Sequence, residues 1–365
     1  MAGSIFGKHF TIQTFGESHG EGIGVVVDGC PAGLSLTADD IQHYLNRRKP
    51  GQTKFSTPRK EADEVEILSG VFEGKTTGTP IALLVRNTSQ RSGDYSEIAS
   101  YYRPGHADFT FDEKYGFRDY RGGGRSSGRE TIGRVAAGAI ALKLLKELGI
   151  EICAYTKSIG PVSIDYDRFD TDAILSTPTC MPDTVASGQA EAYLEDCMKS
   201  LDSSGGVIEC IAKGVPAGVG EPVFDKLDAN LGKAILSIGS VKAFEIGDGI
   251  SVATMKGSEN NDAFVMKDGQ VTKMTNHSGG ILGGMSDGSD IVLRAYIKPT
   301  PSIFKEQNTV NKSGEDITVQ IKGRHDPVIV PRAVVVVEAM TALTILDLMM
   351  ENATAKLSNL KKIYE

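Results

Sequence analysis

The chain has 365 residues, 40% of them hydrophobic and 24% charged, with a net charge of −8. That balance excludes bulk disorder and argues against a protein that grips nucleic acid through its overall charge, so basic clusters read as local sites for small anions. Five cysteines, odd in number and without a Cys-x-x-Cys pair, fit reduced thiols better than a disulfide frame or a zinc site, as in a soluble cytoplasmic protein.

The length leaves room for one large domain or a fused pair of similar halves. The N-terminus, Met1 to His9, lacks the apolar core of a signal peptide. Phe10 and Ile12 alternate with polar residues like a strand, Gly16 to Gly22 reads as a loop, and Ile23 to Val27 as the next strand. His19 then sits in a glycine- and glutamate-flanked loop, where its residues alone leave a structural and a catalytic role equally open. A helix is predicted from Thr37-Ala-Asp-Asp40, with Ile41, Tyr44 and Leu45 on its apolar face and a stop at Pro50-Gly51. Arg47, Arg48 and Lys49 in its last turn complement the helix dipole, and with Lys54, Arg59 and Lys60 they also form a candidate anion-facing patch. Ile67 to Arg86 reads as two strands around a glycine turn. Within it, Gly70-Val-Phe-Glu-Gly74-Lys75-Thr76 has one residue too few between its glycines for a P-loop, which excludes that nucleotide site.

Tyr101 to Asp108 follows as a turn holding Arg103, His106 and Asp108. Next comes Arg118 to Arg134, which packs five arginines into seventeen residues of an acidic chain. Ser127 and Glu130 are spaced as a capping box, and Ile132, Val135, Ala136, Ala139, Leu142 and Leu145 recur at helical spacing, so a helix is predicted from about Gly128. Glycines, Arg125, Arg129 and two serines just before a helix N-terminus make a phosphate cradle, because such an end presents unpaired N–H groups and a positive dipole. The alternative is a glycine-rich turn with solvated arginines.

Beyond it, Gly214-Val-Pro-Ala-Gly218 repeats Gly29-Cys-Pro-Ala-Gly33, and Gly280, Gly284, Gly288 and Ile291 repeat the spacing of Gly70, Gly74, Gly78 and Ile81. Two matches in the same order predict duplicated halves joined near residues 150 to 200. Lys298-Pro299-Thr300-Pro301-Ser302 leads into a polar stretch to about Val319, then Arg324-His325-Asp326-Pro327. The apolar run from Val328 to Met350 is interrupted by Arg332, Glu338 and Asp347, so it reads as a buried helix and not a membrane span, with Pro331 in its first turn.

Three independent patterns, Gly16-Glu-Ser-His-Gly-Glu-Gly-Ile-Gly-Val-Val-Val-Asp-Gly-Cys-Pro31, Gly124-Arg-Ser-Ser-Gly-Arg-Glu130, and Arg324-His-Asp-Pro327 running into Glu338-Ala-Met, together resemble chorismate synthases. With Arg-Pro-Gly-His-Ala-Asp at 103 to 108, the resemblance covers essentially the whole chain. It implies an α/β (α+β) fold, a large beta-alpha-beta sandwich of two similar halves in one domain over 1–365, assembled as a homotetramer. It also implies a lyase that converts 5-enolpyruvylshikimate 3-phosphate to chorismate by anti 1,4-elimination of phosphate, in aromatic amino-acid biosynthesis. The family requires reduced FMN without net redox change, and NADPH serves some members as reductant.

By the same resemblance, FMN contacts fall on Arg125, Ser126 and Ser127, on Gly239 and Ser240, on Gly283, on Lys298, Pro299, Thr300, Pro301 and Ser302, and on Arg324. Substrate or NADPH contacts fall on Arg48, Lys54, Arg103 and Arg129. His19 would protonate the departing phosphate, His106 would stabilise the reduced flavin, and Asp326 would steer removal of the ring proton. The chain departs from the family pattern at Lys54, often Arg, which loses a bidentate fork, at Pro301, usually Ser, and at Gly239-Ser240 in place of an Asn-containing pair. The physics runs the same way: a substrate with two carboxylates and a phosphate, beside a flavin phosphate, needs many fixed cations in one pocket. A NADPH-consuming flavin reductase and an RNA-binding Arg-Gly module are the rival readings.

Overall fold

The computed structural model describes residues 3–56, 61–88, 97–321 and 326–365. The first half runs β1 (Ile5–Phe6), β2 (Thr11–Gly16), β3 (Gly22–Asp28), α1 (Ala38–Arg48), β4 (Val65–Ile67), β5 (Val71–Phe72), β6 (Lys75–Thr76), β7 (Ile81–Arg86), α2 (Asp108–Tyr115) and α3 (Thr131–Glu147). The second runs β8 (Glu151–Ile159), β9 (Val162–Ser163), α4 (Ala173–Ser176), α5 (Thr184–Lys199), β10 (Gly206–Lys213), α6 (Leu227–Leu236) and β11 (Val241–Ile246). It continues with α7 (Gly257–Asn260), the hairpin β12 (Phe264–Lys267) and β13 (Gln270–Lys273), the hairpin β14 (Ile281–Leu282) and β15 (Met285–Ser286), and β16 (Ile291–Ile297). β17 (Glu306–Val310), β18 (Asp316–Gln320), α8 (Val330–Asn352) and α9 (Leu357–Tyr364) complete it. The polar stretch after Lys298 is thus an antiparallel hairpin, β17 with β18.

Two antiparallel five-stranded sheets enclose the helices. The first has the order β1-β2-β3-β7-β4 and the second β9-β8-β10-β16-β11, so each strand of one has a counterpart at the same place in the other. The glycine repeats occupy matching corners. Thr76 Oγ1 donates to Pro31 O at 2.6 Å and accepts Leu34 N–H at 3.0 Å; Ser286 Oγ donates to Pro216 O at 2.6 Å and accepts Val219 N–H at 2.9 Å. One hydroxyl therefore closes each strand-end turn onto each small hairpin.

Helices α1 and α3 lie under the first sheet, α6 and α8 under the second, and α3 packs on α8 between them. Both central helices are apolar on nearly every face, which suits a helix enclosed by protein. α8 is long and apolar enough to cross a membrane by length and composition, but its side chains are buried against α3, α6 and the second sheet. The two helices pack tightly at Gly138, where a Cβ would collide with Ala339. α1 starts where predicted and is closed by a capping box: Asp40 N–H bonds Thr37 Oγ1 and the Asp40 carboxylate takes Thr37 N–H at 2.8 Å.

At α3 the expected capping box is only half made. A 3₁₀ turn over Gly128–Glu130 precedes the helix, and Ser127 Oγ accepts Arg129 N–H. The Glu130 carboxylate turns instead to Thr14 Oγ1 at 2.9 Å and Arg134 Nε at 2.8 Å, where a cation offers a stronger partner than a backbone N–H.

Candidate active site

The starts of α3 and α8 open onto one cavity of about 1120 Å³, lined by Ser127, Gly128 and Thr131 from the first and by Ile329, Arg332 and Ala333 from the second. Six cations line it (Arg48, Lys114, Arg125, Arg134, Lys233, Arg332) against two carboxylates (Glu130, Asp326), so the cavity is basic although the chain is acidic. Its volume is at the upper end for a single small-molecule site, enough for two ligands side by side.

Three successive glycines build the entry to α3. Gly122, Gly123 and Gly124 all have positive φ, at 64°, 85° and 51°, a run that side chains would oppose. The turn they make delivers Arg125, whose Nη1 donates to Gly16 O at 3.1 Å and whose Nη2 donates to Thr14 O at 3.2 Å and Thr14 Oγ1 at 2.6 Å. The guanidinium is thereby fixed against the end of β2. Ser126 Oγ donates to Gly123 O at 2.7 Å, and at Gly128 a Cβ would meet open space, leaving room for an approaching ligand.

Gly122 also packs on His19. A Cβ at Gly122 would enter the imidazole ring, whose Nδ1 lies 3.0 Å from Ser18 Oγ. His19 is buried beside the cradle and does not line the cavity.

Arg48 enters from the last turn of α1 and is itself buried. Its Nη2 bonds Asp63 Oδ2 at 2.6 Å, and Arg129 Nη1 reaches the other oxygen of Asp63 at 3.1 Å and also pairs with Glu61. Burial pushes the Asp63 carboxyl up, but Arg48 and Arg129 outweigh it and hold the group below the usual carboxylate range. Asp63 also holds φ at 48°, an uncommon left-handed conformation for a residue with a side chain. Arg129 therefore stands behind the cavity wall and Arg48 in it.

Gly239, Ser240, Thr300 and Pro301 form the wall from the second half. Lys298 N–H donates to Ser240 O at 2.9 Å, tying the two segments together, and Lys298 Nζ donates to Gly105 O at 2.9 Å. Burial, then Lys242, lowers the Lys298 pKa from its ordinary value. His106 is brought to this segment: its Nε2 lies 2.9 Å from Ser302 Oγ and its Nδ1 2.9 Å from Pro104 O. Pro299 and Ser302 continue the segment behind the lining residues.

Three expected contacts are placed elsewhere. Arg103 is engaged by both oxygens of Asp108, each at 2.8 Å, and does not line the cavity. Exposed Lys54 pairs with Glu195 at 2.7 Å and Glu191 at 3.5 Å on α5. Gly283 occupies the turn of the β14–β15 hairpin, outside the lining. Arg324 lies outside the described residues. Asp326 lines the cavity, with Arg332 Nη1 on its Oδ2 at 2.5 Å.

Sequence reasoning missed Arg332, Arg134, Lys233, Ser237 and Asp63. Arg134 and Ser237 meet across the cavity at 2.6 Å, a contact between halves that no local spacing signals. The signal available for Arg332 was its place one residue after Pro331 in the first turn of a helix.

A profile of the chorismate synthase family matches residues 10–350. The chain is 70% identical to a chorismate synthase of Lachnoclostridium phytofermentans and 68% identical to one of Lachnospira eligens, each alignment covering 100% of both chains. It also superposes on a solved chorismate synthase crystal structure with a TM-score of 0.76 at 31% identity, covering 98% of this chain and 97% of that one.

Proposed function

This chain belongs to the chorismate synthase family of the shikimate pathway, and we propose that its cavity takes reduced FMN beside 5-enolpyruvylshikimate 3-phosphate and eliminates phosphate from the latter to give chorismate. The observation that carries this reading is the excess of six cations over two carboxylates around one cavity of about 1120 Å³. Substrate and cofactor are both polyanions, and enclosing them without fixed countercharge costs several kcal/mol per unpaired ion.

The residues present fit the flavin. Gly128 and Gly239 leave open space where side chains would intrude, and Thr300 Oγ1 is buried without a hydrogen-bond partner among the described residues, a donor waiting for an acceptor. Arg125, Ser126, Ser127, Thr300 and Lys233 would hold it. When bound, reduced FMN supplies electron density to the carbon–oxygen bond that breaks, with no net redox change.

The protein's own groups do the rest. Arg48, which also donates to Gly128 O and Thr131 Oγ1, meets the substrate's anionic groups beside the start of α3, its Nε buried and unpartnered among the described residues. Asp326 guides removal of the ring proton, His106, held by Ser302, backs the flavin, and His19, packed on Gly122 behind the cavity lining, is the acid that the family resemblance assigns to the departing phosphate. We read the chain as one domain of two similar halves, supported by the matching strand orders, and as a homotetramer. Exposed Ile250, Phe264, Met266, Val271 and Met274 supply an apolar face for assembly.

Anaerobic incubation with dithionite-reduced FMN tests the activity: chorismate should accumulate without net flavin oxidation. Oxidised FMN with NADPH in place of dithionite tests whether the chain reduces its own flavin. Steady NADPH oxidation without chorismate would support a flavin reductase instead, and light scattering at other than four chain masses would overturn the tetramer.

A further inference from the structure

We infer that Arg332 is a positioning residue for Asp326, clamping that carboxylate between the first turn of α8 and the last turn of α1. The inference rests on the catalytic reading of Asp326 given above and adds a residue to it.

Arg332 stands one residue after Pro331 at the start of α8, where the fixed φ of proline stiffens the turn. From there its guanidinium makes two contacts in different directions. Nη1 donates to Asp326 Oδ2 at 2.5 Å, and Nε donates to the backbone oxygen of Arg48 at 3.1 Å. The second contact is to the main chain at the end of α1, whose own arginine side chain is locked to Asp63 at 2.6 Å. The planar fork thus spans from a rigid helix end to the loop carboxylate, and a lysine ammonium, whose three donors sit on one nitrogen, cannot span both partners in the same way.

Electrostatics agrees with a clamp. Burial pulls the Arg332 pKa down from the ordinary arginine value and Arg48 adds to the fall, while Asp326 and Asp63 oppose it. The guanidinium is therefore a desolvated cation between two carboxylates and beside a second cation, an arrangement that favours one geometry strongly. Asp326 needs such a fixture. It lies three residues before Ile329, on the loop that feeds the helix. A reacting carboxylate misplaced by about 1 Å loses on the order of a hundredfold in rate.

Arg332 also lines the cavity, so the alternative is that it grips substrate directly. The two roles separate in kinetics. If Arg332 acts through Asp326, Arg332→Lys lowers kcat roughly ten- to hundredfold while KM for the phosphate substrate and the affinity for FMN change less than about threefold. In an Asp326→Asn background the same change then costs little more, because the residue it positions is already disabled. Arg332→Ala should regain turnover on addition of methylguanidine, a readout that a folding defect would not give. Unchanged kcat in Arg332→Lys, a loss confined to KM, or full additivity with Asp326→Asn would overturn the proposal. Full turnover in Asp326→Asn alone would instead remove the catalytic reading of that carboxylate, and the proposal with it.

Discussion

The two central helices begin at the same cavity and begin differently. α3 is entered through three left-handed glycines and a 3₁₀ turn that set Arg125 and two serines in the cavity lining. α8 is entered through Asp326, Pro327 and Pro331, and its first-turn cation is turned onto a carboxylate at 2.5 Å. On the proposed function one helix start receives an anion; the other holds a carboxylate in place. The matching sheet orders, and the matching hydroxyl bonds at Thr76 and Ser286, show how little the surrounding frame had to differ for this. Specialisation here is in the few residues that precede each helix.

Several substitutions break or sharpen that contrast. Asp326→Asn should reduce turnover roughly 10- to 1,000-fold while FMN affinity stays within about twofold, the signature of lost transition-state stabilisation. Stopped assays with saturating reduced FMN, alongside a flavin titration, check both halves of the statement. Arg125→Ala should do the reverse, weakening FMN binding by about 1.5 to 3 kcal/mol, roughly ten- to 150-fold. Unchanged affinity in a fluorescence titration would move the cradle away from α3.

The frame itself is tested by paired changes. Thr76→Val and Ser286→Ala each remove a buried hydroxyl that holds one donor and one acceptor, and each should cost about 1 to 3 kcal/mol in urea unfolding. Clearly unequal costs would mean that the two corners are alike in shape but not in what they carry. A last, smaller effect concerns the countercharges behind the α3 wall. The folded pKa of Asp63 is depressed, so its contribution is present above the unfolded value near 3.9 and lost as pH falls through the lower folded value. Unfolding midpoints should therefore drop with acid below about pH 4, less steeply in Asp63→Asn.

Much of this frame was legible in the sequence because it is local. The glycine repeats marked the two corners, the Thr37 cap and the helical spacing after Ile132 marked α1 and α3, and Pro331 marked the start of α8. The glycine turn that brings Arg125 and two serines to the start of α3 was legible too. What escaped was everything set by distance in the fold. Ser127 and Glu130 have capping-box spacing, but Thr14, more than a hundred positions earlier, takes the glutamate away. Arg103 and Lys54 are cations of the expected type, yet Asp108 and Glu195 hold them outside the cavity lining. Asp63 sits in no motif and becomes central only because two arginines meet there.

FMN and the phosphate substrate are proposed to lie side by side between the two helix starts. The structure of the protein with both bound tests it most directly. Ligand density touching Arg125 and Ser127 for one ligand and Arg48 and Asp326 for the other is the predicted result. Density for either ligand outside this cavity, with Arg125 still bound only to Thr14 and Gly16, would contradict it.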